Sequence, residues 1–497
     1  MVGMDMVGTG GNGRTGIKEK PAVDGAPPAV SLTTRNEAHL DPLCLTRAGS
    51  FLQGNRCAQI LLPFAYLRRG KGSIMLKTWI AYLRQLGPGF ITGVSDDDPS
   101  GIATYSQAGA RFGTSMLWAA LFSFPLMAAI QEISARIGRV TGQGLAGNIR
   151  RHYPAGLLYT VVLLIAVSNT INIGADIGAM AAALELILGK DSWHVFPLAI
   201  GVVSVAALTF LSYATYVSVM KWVGISVFSY VGVVLFVQVP WADVLRDTFL
   251  PRIGLSGDYL MMLVAVLGTT VSPYLFFWQS SLEAEELRAA GEEPVRKAPQ
   301  RARSEFENIR IDTYSGMAIS NAVMFFIILT TALTLHAHHI TDIQSAEQAA
   351  RALEPIAGRF AFLLFAIGII GTGALAVPVL AGSVGYSVGE AFNWSAGLDY
   401  KPYQAKRFYA LIAVSTLLGT AVNFTGVDPI KALIWSAVIN GLISVPLLCA
   451  LMLIARNRKA MGQFIISRKL LAAGWFTTGI MALAAVMLVV NLFTPDS

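Results

Sequence analysis

The sequence predicts an all-α integral membrane protein, a single bundle of about eleven transmembrane helices, and three observations carry that prediction. Hydrophobic residues make up 54% of the 497-residue chain and charged residues 13%, with a mean hydropathy of +0.57, a balance of membrane rather than soluble domains. Apolar segments recur from about residue 86 to residue 493, each near the ~20 residues that a helix needs to cross the hydrocarbon core. Lysine and arginine concentrate in alternate loops, as a fixed orientation in a bilayer requires.

Residues 1–75 stand apart from the rest, Gly-rich at the start, with Pro21, Pro27 and Pro28 and no helical or strand period. They read as a disordered extension. The run "ILLPFAYL" is too short and proline-broken to span, and Arg68 and Arg69 follow it, whereas a signal peptide puts its basic residues first. Met75 is therefore a plausible true start, followed by a transmembrane domain over 76–497.

The expected spans lie near 86–112, 114–138, 156–189, 195–213, 217–239, 258–286, 314–335, 356–392, 406–423, 428–455 and 470–493. Arg84 precedes the first span; Arg136, Arg139, Arg150 and Arg151 follow the second. Arg288 to Arg310, Lys401 to Arg407 and Arg456 to Lys469 follow the sixth, eighth and tenth. All these loops fall on one side, so the positive-inside rule puts the N-terminus in the cytoplasm and the C-terminus outside, in a multi-pass inner (plasma) membrane protein. The formal charge of +7 is thus explained by topology, and nothing suggests nucleic acid. Cys44, Cys57 and Cys449 form neither a disulfide framework nor a metal spacing.

Between spans six and seven, residues 287–313 mix both charge signs with two prolines and read as a solvated cytoplasmic connector. The outer stretch "DIQSAEQAARALEPIAG" reads as a short amphipathic helix, a lid or a linker.

Two of the spans are interrupted. In "GVSDDDPSGIATYS", residues 93–106, three aspartates stand in an apolar setting, where charges cannot face lipid and must face the bundle interior, water or a cation. Pro99 removes a backbone donor and Gly101 tolerates unusual dihedrals, so the helix should break at Asp98–Gly101. Span six, "VAVLGTTVSPYLFFWQSS", has a second break at Ser272–Pro273. If the chain is two five-span halves, about 80–240 and 256–455, with an extra span at 470–493, the first helix of each half is the broken one. That is the pattern of inverted repeats with a substrate site at their interface. Carboxylates, hydroxyls and freed carbonyls are hard donors suited to Mg²⁺, Ca²⁺ or Mn²⁺. A sodium-coupled solute symporter is the runner-up on the same architecture.

"GPGFITGVSDDDPSGIATYSQAGARFG", "QEISARIGRVTG", "NTINIGADIGAM" and "GTTVSPYLFFWQ" together resemble the NRAMP family of divalent metal transporters across about residues 80–455. The resemblance implies a LeuT-like fold and a secondary transporter of Mn²⁺ or Fe²⁺, usually with protons. It makes Asp98 the metal-binding aspartate and gives Thr269 a ligating backbone carbonyl. The family motif Asp-Pro-Gly-Asn is here Asp-Pro-Ser-Gly, so Gly101 stands where the family has its asparagine. Ser272 replaces the family's methionine and Tyr274 its histidine. Loss of the thioether removes the soft donor that favours transition metals, and a divergent branch with similar losses carries Mg²⁺; an uncoupled Mg²⁺ transporter therefore stays open. Proton coupling stays open too, since Tyr274 replaces the histidine and Ala179 a glutamate, leaving Asp176 as a relay or an interhelical hydrogen-bonding group.

The reading is a carrier, not an enzyme, with Asp98 the principal ligand, Asp97 and Ser272 assisting, and the breaks at Pro99 and Pro273 framing the site. Its expected partners are a divalent cation, the bilayer and, if coupled, protons; no cofactor, nucleic acid or protein partner is implied. An intramembrane aspartyl protease using Asp98 and Asp176 lacks the Gly-x-Gly-Asp arrangement. Asn440 is expected to bridge helices or to add a polar ligand, and Glu132 to pair with Arg136, four residues on. The "HAHH" of His336, His338 and His339 is either an outer metal-capture point or an incidental cluster.

Overall fold

A computed structural model describes residues 87–188, 195–210 and 229–493. The N-terminal extension, Met75, Cys44, Cys57 and parts of the fourth and fifth expected spans lie outside these residues.

The described chain is helical throughout. Helix α1 (Pro88–Val94) starts on a proline, whose missing amide costs nothing in a first turn. Its glycines bring it onto α11 (Ala302–Thr334): a Cβ on Gly93 would collide with the backbone of Gly316. Small residues permit this approach where apolar lipid gives helices little drive to associate. After four non-helical residues, Ser95–Asp98, the chain re-enters a helix, α2 (Pro99–Phe112), so the first span is broken just ahead of the expected Asp98–Gly101, and Pro99, Ser100 and Gly101 already form the first turn of α2.

A 3₁₀ turn at Gly113–Met116 leads into α3 (Leu117–Thr141), which ends on Gly142 at φ 67°, a left-handed cap that glycine adopts without steric cost. Then come α4 (Leu145–His152), α5 (Ala155–Leu188), α6 (Val195–Phe210), α7 (Ser229–Val234) and α8 (Trp241–Phe249). The sixth span is α9 (Gly257–Thr270) and α10 (Pro273–Ala289), broken at Val271–Ser272. After α11 follow α12 (Ala346–Ala350), α13 (Glu354–Ala357), α14 (Ala361–Ala391), α15 (Lys406–Val422), α16 (Pro429–Arg456), α17 (Arg458–Met461) and α18 (Arg468–Phe493).

Among the described residues, eight helical runs are long and apolar enough to cross a membrane, and the first, Pro99–Thr141, contains α2 and α3 together. The apolar window of α9 and α10 is 94% buried and that of α18 only 33%, so the broken pair α9 and α10 is central and α18 peripheral. Helix α14 packs along α5, α9 against α16, and α11 against α1, α2 and α3.

Two connectors differ from expectation. Helix α11 begins at Ala302, so the charged linker is shorter than 287–313, and although most of it is exposed, as expected, it is pinned to α3 at one point. The amides of Val295 and Arg296 donate to the carbonyls of Arg139 and Val140 at 3.1 and 3.2 Å, and Val295 is buried. A charge count cannot see such backbone pairing. The segment 342–358 is not one amphipathic helix either: it divides into α12, a 3₁₀ turn at Arg351–Leu353 and α13, with Ala349, Ala350, Ala352 and Leu353 buried. The expected Glu132–Arg136 pair is present at 2.5 Å.

Candidate functional site at the paired helix breaks

Asp98 is the N-cap of α2, with extended backbone (φ −71°, ψ 170°), because Pro99 at the first helical position disfavours a helical residue before it. Its Oδ1 accepts from the Gly101 amide and the Ser100 hydroxyl, both at 2.7 Å. Its Oδ2 faces away from α2, accepting from Asn172 Nδ2 on α5 at 3.1 Å and lying 3.2 Å from the Tyr274 hydroxyl on α10. Three separate helices thus converge on one carboxylate that is 1% exposed.

Asp176 lies one turn beyond Asn172 on α5, fully buried beside Asp98 and facing the Ser100 amide, and neither of its oxygens makes a hydrogen bond of ordinary geometry. Tyr274 also lies 3.4 Å from the Ser95 carbonyl in the unwound segment. On the sixth-span side, the Ser272 hydroxyl turns back to the carbonyls of Gly268 (2.9 Å) and Thr269 (2.5 Å). The Thr269 carbonyl therefore accepts from Ser272 in this state of the protein.

Gly101 sits where the two broken helices approach each other. A Cβ there would lie 3.2 Å from Thr269 Oγ1, 3.3 Å from Tyr105 Cε2 and 3.4 Å from the Asp96 carbonyl. Tyr105 and Thr269 thus occupy the space in which a longer residue at 101 would place its side chain.

Asp97 does not turn toward Asp98's partners. It and Asp96 face α11, where Ser320 Oγ lies 2.6 Å from Asp96 Oδ2 and 3.3 Å from Asp97 Oδ1. Asn172, Tyr105 and Ser320 escaped the sequence reading. Asn172 could have been found, four residues before Asp176 on one helix face; Ser320 carries no local signal. Among the described residues no three or more His, Cys, Asp or Glu side chains group to hold a metal, so any cation here relies on one or two carboxylates completed by hydroxyls, an amide and backbone carbonyls. The histidines of "HAHH" do not share a target, since His336 Nδ1 meets the Ala110 carbonyl at 2.8 Å and His338 Nδ1 the Thr334 carbonyl at 2.5 Å. Asn440 accepts from Ser168, the interhelical role expected of it.

Polar latches flank the site at both ends. At the end carrying the basic loops, Arg139 on α3 pairs with Glu283 (2.5 Å) and Glu286 (2.7 Å) on α10. There too Glu390 on α14 accepts from the amides of Gly144 and Gly147 at 3.1 and 2.9 Å, and Asp312 on α11 from those of Gly87 and Gly89 at 2.9 and 2.8 Å. At the other end Arg111 pairs with Asp258 (2.5 Å), and Gln107 ties α2 to the outer segment through the Ile343 amide (2.8 Å) and the Thr341 carbonyl (3.2 Å).

A helical membrane bundle in which two half-helix breaks meet over buried acids defines the class of discontinuous-helix secondary carriers. Within that class, the chain belongs to the family described as Natural resistance-associated macrophage protein-like, whose profile matches residues 89–491. The divalent metal cation transporter MntH of Klebsiella pneumoniae (strain 342) is 27% identical over 414 residues, 80% of this chain and 92% of that protein. MntH of Deinococcus radiodurans is 26% identical over 454 residues, 88% of this chain and 92% of that one. In fold, the chain is similar to the manganese transporter of Eremococcus coleocola bound to an aromatic bis-isothiourea substituted compound: TM-score 0.64, 17% identity, 86% of this chain and 90% of that one. It is also similar to MhsT in complex with L-phenylalanine, at TM-score 0.51 and 13% identity over 82% of this chain and 97% of that one, which extends the fold likeness to LeuT-type carriers.

Proposed function

We propose that this protein moves divalent metal cations across the inner (plasma) membrane by alternating access, with its N-terminus cytoplasmic and its C-terminus outside. The cation is taken at Asp98 between the breaks at Pro99 and Pro273. The observation that carries this reading is the convergence of α2, α5 and α10 on the buried Asp98 carboxylate. An anion is disfavoured there, and a cation finds in Asp98, the Asn172 side chain and the Thr269 carbonyl the oxygen donors that hard ions take. The printed names of the relatives, divalent metal cation transporter and manganese transporter, support the same class.

For the cation to be held, the Thr269 carbonyl must exchange its Ser272 donor for the ion, and Asn172 must turn its amide oxygen inward. The latches at the two ends supply the alternating closures: breaking the Arg139–Glu283 side opens the cytoplasmic path, breaking the Arg111–Asp258 side the outer one. Asp176, beside Asp98 and without a hydrogen bond of ordinary geometry, is the candidate proton carrier, with Tyr274 between Asp98 and the Ser95 carbonyl. With no thioether at 272, Mg²⁺ should compete with Mn²⁺ more strongly than at a site holding a sulfur ligand. Uptake into proteoliposomes with Mn²⁺ and Mg²⁺ in competition, read beside an internal pH dye, tests this. Mn²⁺ entry inhibited by Mg²⁺ at similar concentrations supports a hard-donor site, and luminal acidification accompanying entry supports Asp176 as the proton carrier. Failure of both ions to enter contradicts the reading.

A further inference from the structure

The three consecutive aspartates serve two places rather than one. Asp98 faces α5 and α10, whereas Asp96 and Asp97 face α11 and share the single hydroxyl of Ser320. Asp96 is 0% exposed, Asp97 6% and Ser320 1%. The second oxygen of Asp96, Oδ1, has no hydrogen-bond partner. Beside these acids stands Tyr105 of α2, 0% exposed, its hydroxyl close to Thr269 Oγ1 but making no hydrogen bond of ordinary geometry. Among the described residues, no ion pair includes Asp96, Asp97, Asp98 or Asp176.

Adjacent buried carboxylates repel each other, and a single hydroxyl hydrogen cannot offset two desolvated charges. Three buried acids nearer the ends of the bundle are matched: Glu283 by Arg139, Glu390 and Asp312 by pairs of backbone amides. Asp96 and Asp97 have neither arrangement. What they present is a free carboxylate oxygen, a second carboxylate, the Ser320 oxygen and a phenolic oxygen, all hard and all buried.

We propose that Asp96, Asp97, Ser320 and Tyr105 form a second cation site between the unwound segment and α11, distinct from the Asp98 site, that binds a hard divalent ion such as Mg²⁺ or Mn²⁺. The charge balance selects a divalent occupant. Ionised, Asp96 and Asp97 are two buried negative charges that a cation at Asp98 does not touch, and one divalent ion between them neutralises both, with oxygen donors only, as Mg²⁺ and Mn²⁺ accept. The inference deepens the proposed function by giving the carrier two ions where Asp98 alone would hold one.

The test is the stoichiometry of Mn²⁺ binding to the purified full-length chain in detergent, by equilibrium dialysis and by electron paramagnetic resonance, in which neighbouring Mn²⁺ ions broaden each other's signal. The native protein is expected to bind two ions per chain, Asp96→Asn one without the broadening, and Asp98→Asn one. Ser320→Ala, a smaller change, should weaken the second ion about tenfold, the loss of one good ligand. A native stoichiometry of one, unchanged in Asp96→Asn, overturns the second site while leaving the Asp98 site standing. Two ions retained in both Asp96→Asn and Ser320→Ala overturns it as well. Failure of the carrier reading looks different: two ions bind as described, but neither enters proteoliposomes.

Discussion

The hydroxyl of Tyr274 lies 3.2 Å from Oδ2 of Asp98, joining the first half-helix break to the second across the centre of the protein. A cation arriving at Asp98 meets a phenol that either donates to the carboxylate or turns to present its oxygen. Tyr274→Phe removes that choice with little change in volume. One hydrogen bond to a charged group is worth about 1.5–3 kcal/mol, so Mn²⁺ affinity should change about tenfold or more, read by calorimetry on the purified protein. An unchanged affinity means Tyr274 stays clear of the ion.

Ser272 directs its hydroxyl at its own helix, onto the carbonyls of Gly268 and Thr269. Ser272→Met frees the Thr269 carbonyl and adds a thioether at the break. Preference for Cd²⁺ or Mn²⁺ over Mg²⁺ should rise about tenfold, since sulfur favours the softer ions. Competition uptake measures the ratio, and an unaltered ratio places position 272 away from the ion path.

At Gly101, Tyr105 and Thr269 leave a Cβ at 3.3 and 3.2 Å, tighter than ordinary packing. Gly101→Asn restores the residue type of the related motif yet should impair this protein, with a stability loss of about 1–3 kcal/mol from overpacking. Thermal unfolding in detergent and Mn²⁺ uptake both report it. Full activity with unchanged melting would show that Tyr105 yields freely.

The Arg139–Glu283 pair has side-chain exposures of 11% and 2%, and removing one partner of such a buried pair costs about 3–5 kcal/mol. Arg139→Gln should therefore loosen the contact of α3 with α10. In an Ser281→Cys background, where the native serine is buried beside Glu390, thiol modification should speed up about tenfold or more as the population opens. Equal modification rates with and without Arg139 would show that this pair does not hold the end closed.

The parts of the site dictated by local chemistry were legible in the sequence. Asp98–Pro99 and Ser272–Pro273 mark breaks because a proline removes a donor and disfavours helix in the preceding residue, and in both spans the second half-helix starts at that proline. Glu132 and Arg136 pair because residues four apart share a helix face. Ser320 was invisible, since only the approach of α1 to α11 through Gly93 and Gly316 brings it to Asp96, 224 positions away in the chain. Tyr105 carries no signal of its own in the sequence, and its role at Gly101 depends on where Thr269 arrives from α9. The charged connector is mostly exposed, as its composition says, but its local pairing with Arg139 and Val140 uses backbone atoms that composition does not encode.

The central claim is that Asp98 holds the transported cation, and the direct measurement is Mn²⁺ uptake by proteoliposomes carrying the native protein or Asp98→Asn at matched incorporation. The account predicts uptake by the native protein and its abolition in Asp98→Asn, with unchanged elution on size exclusion. Uptake of normal affinity in Asp98→Asn would contradict it.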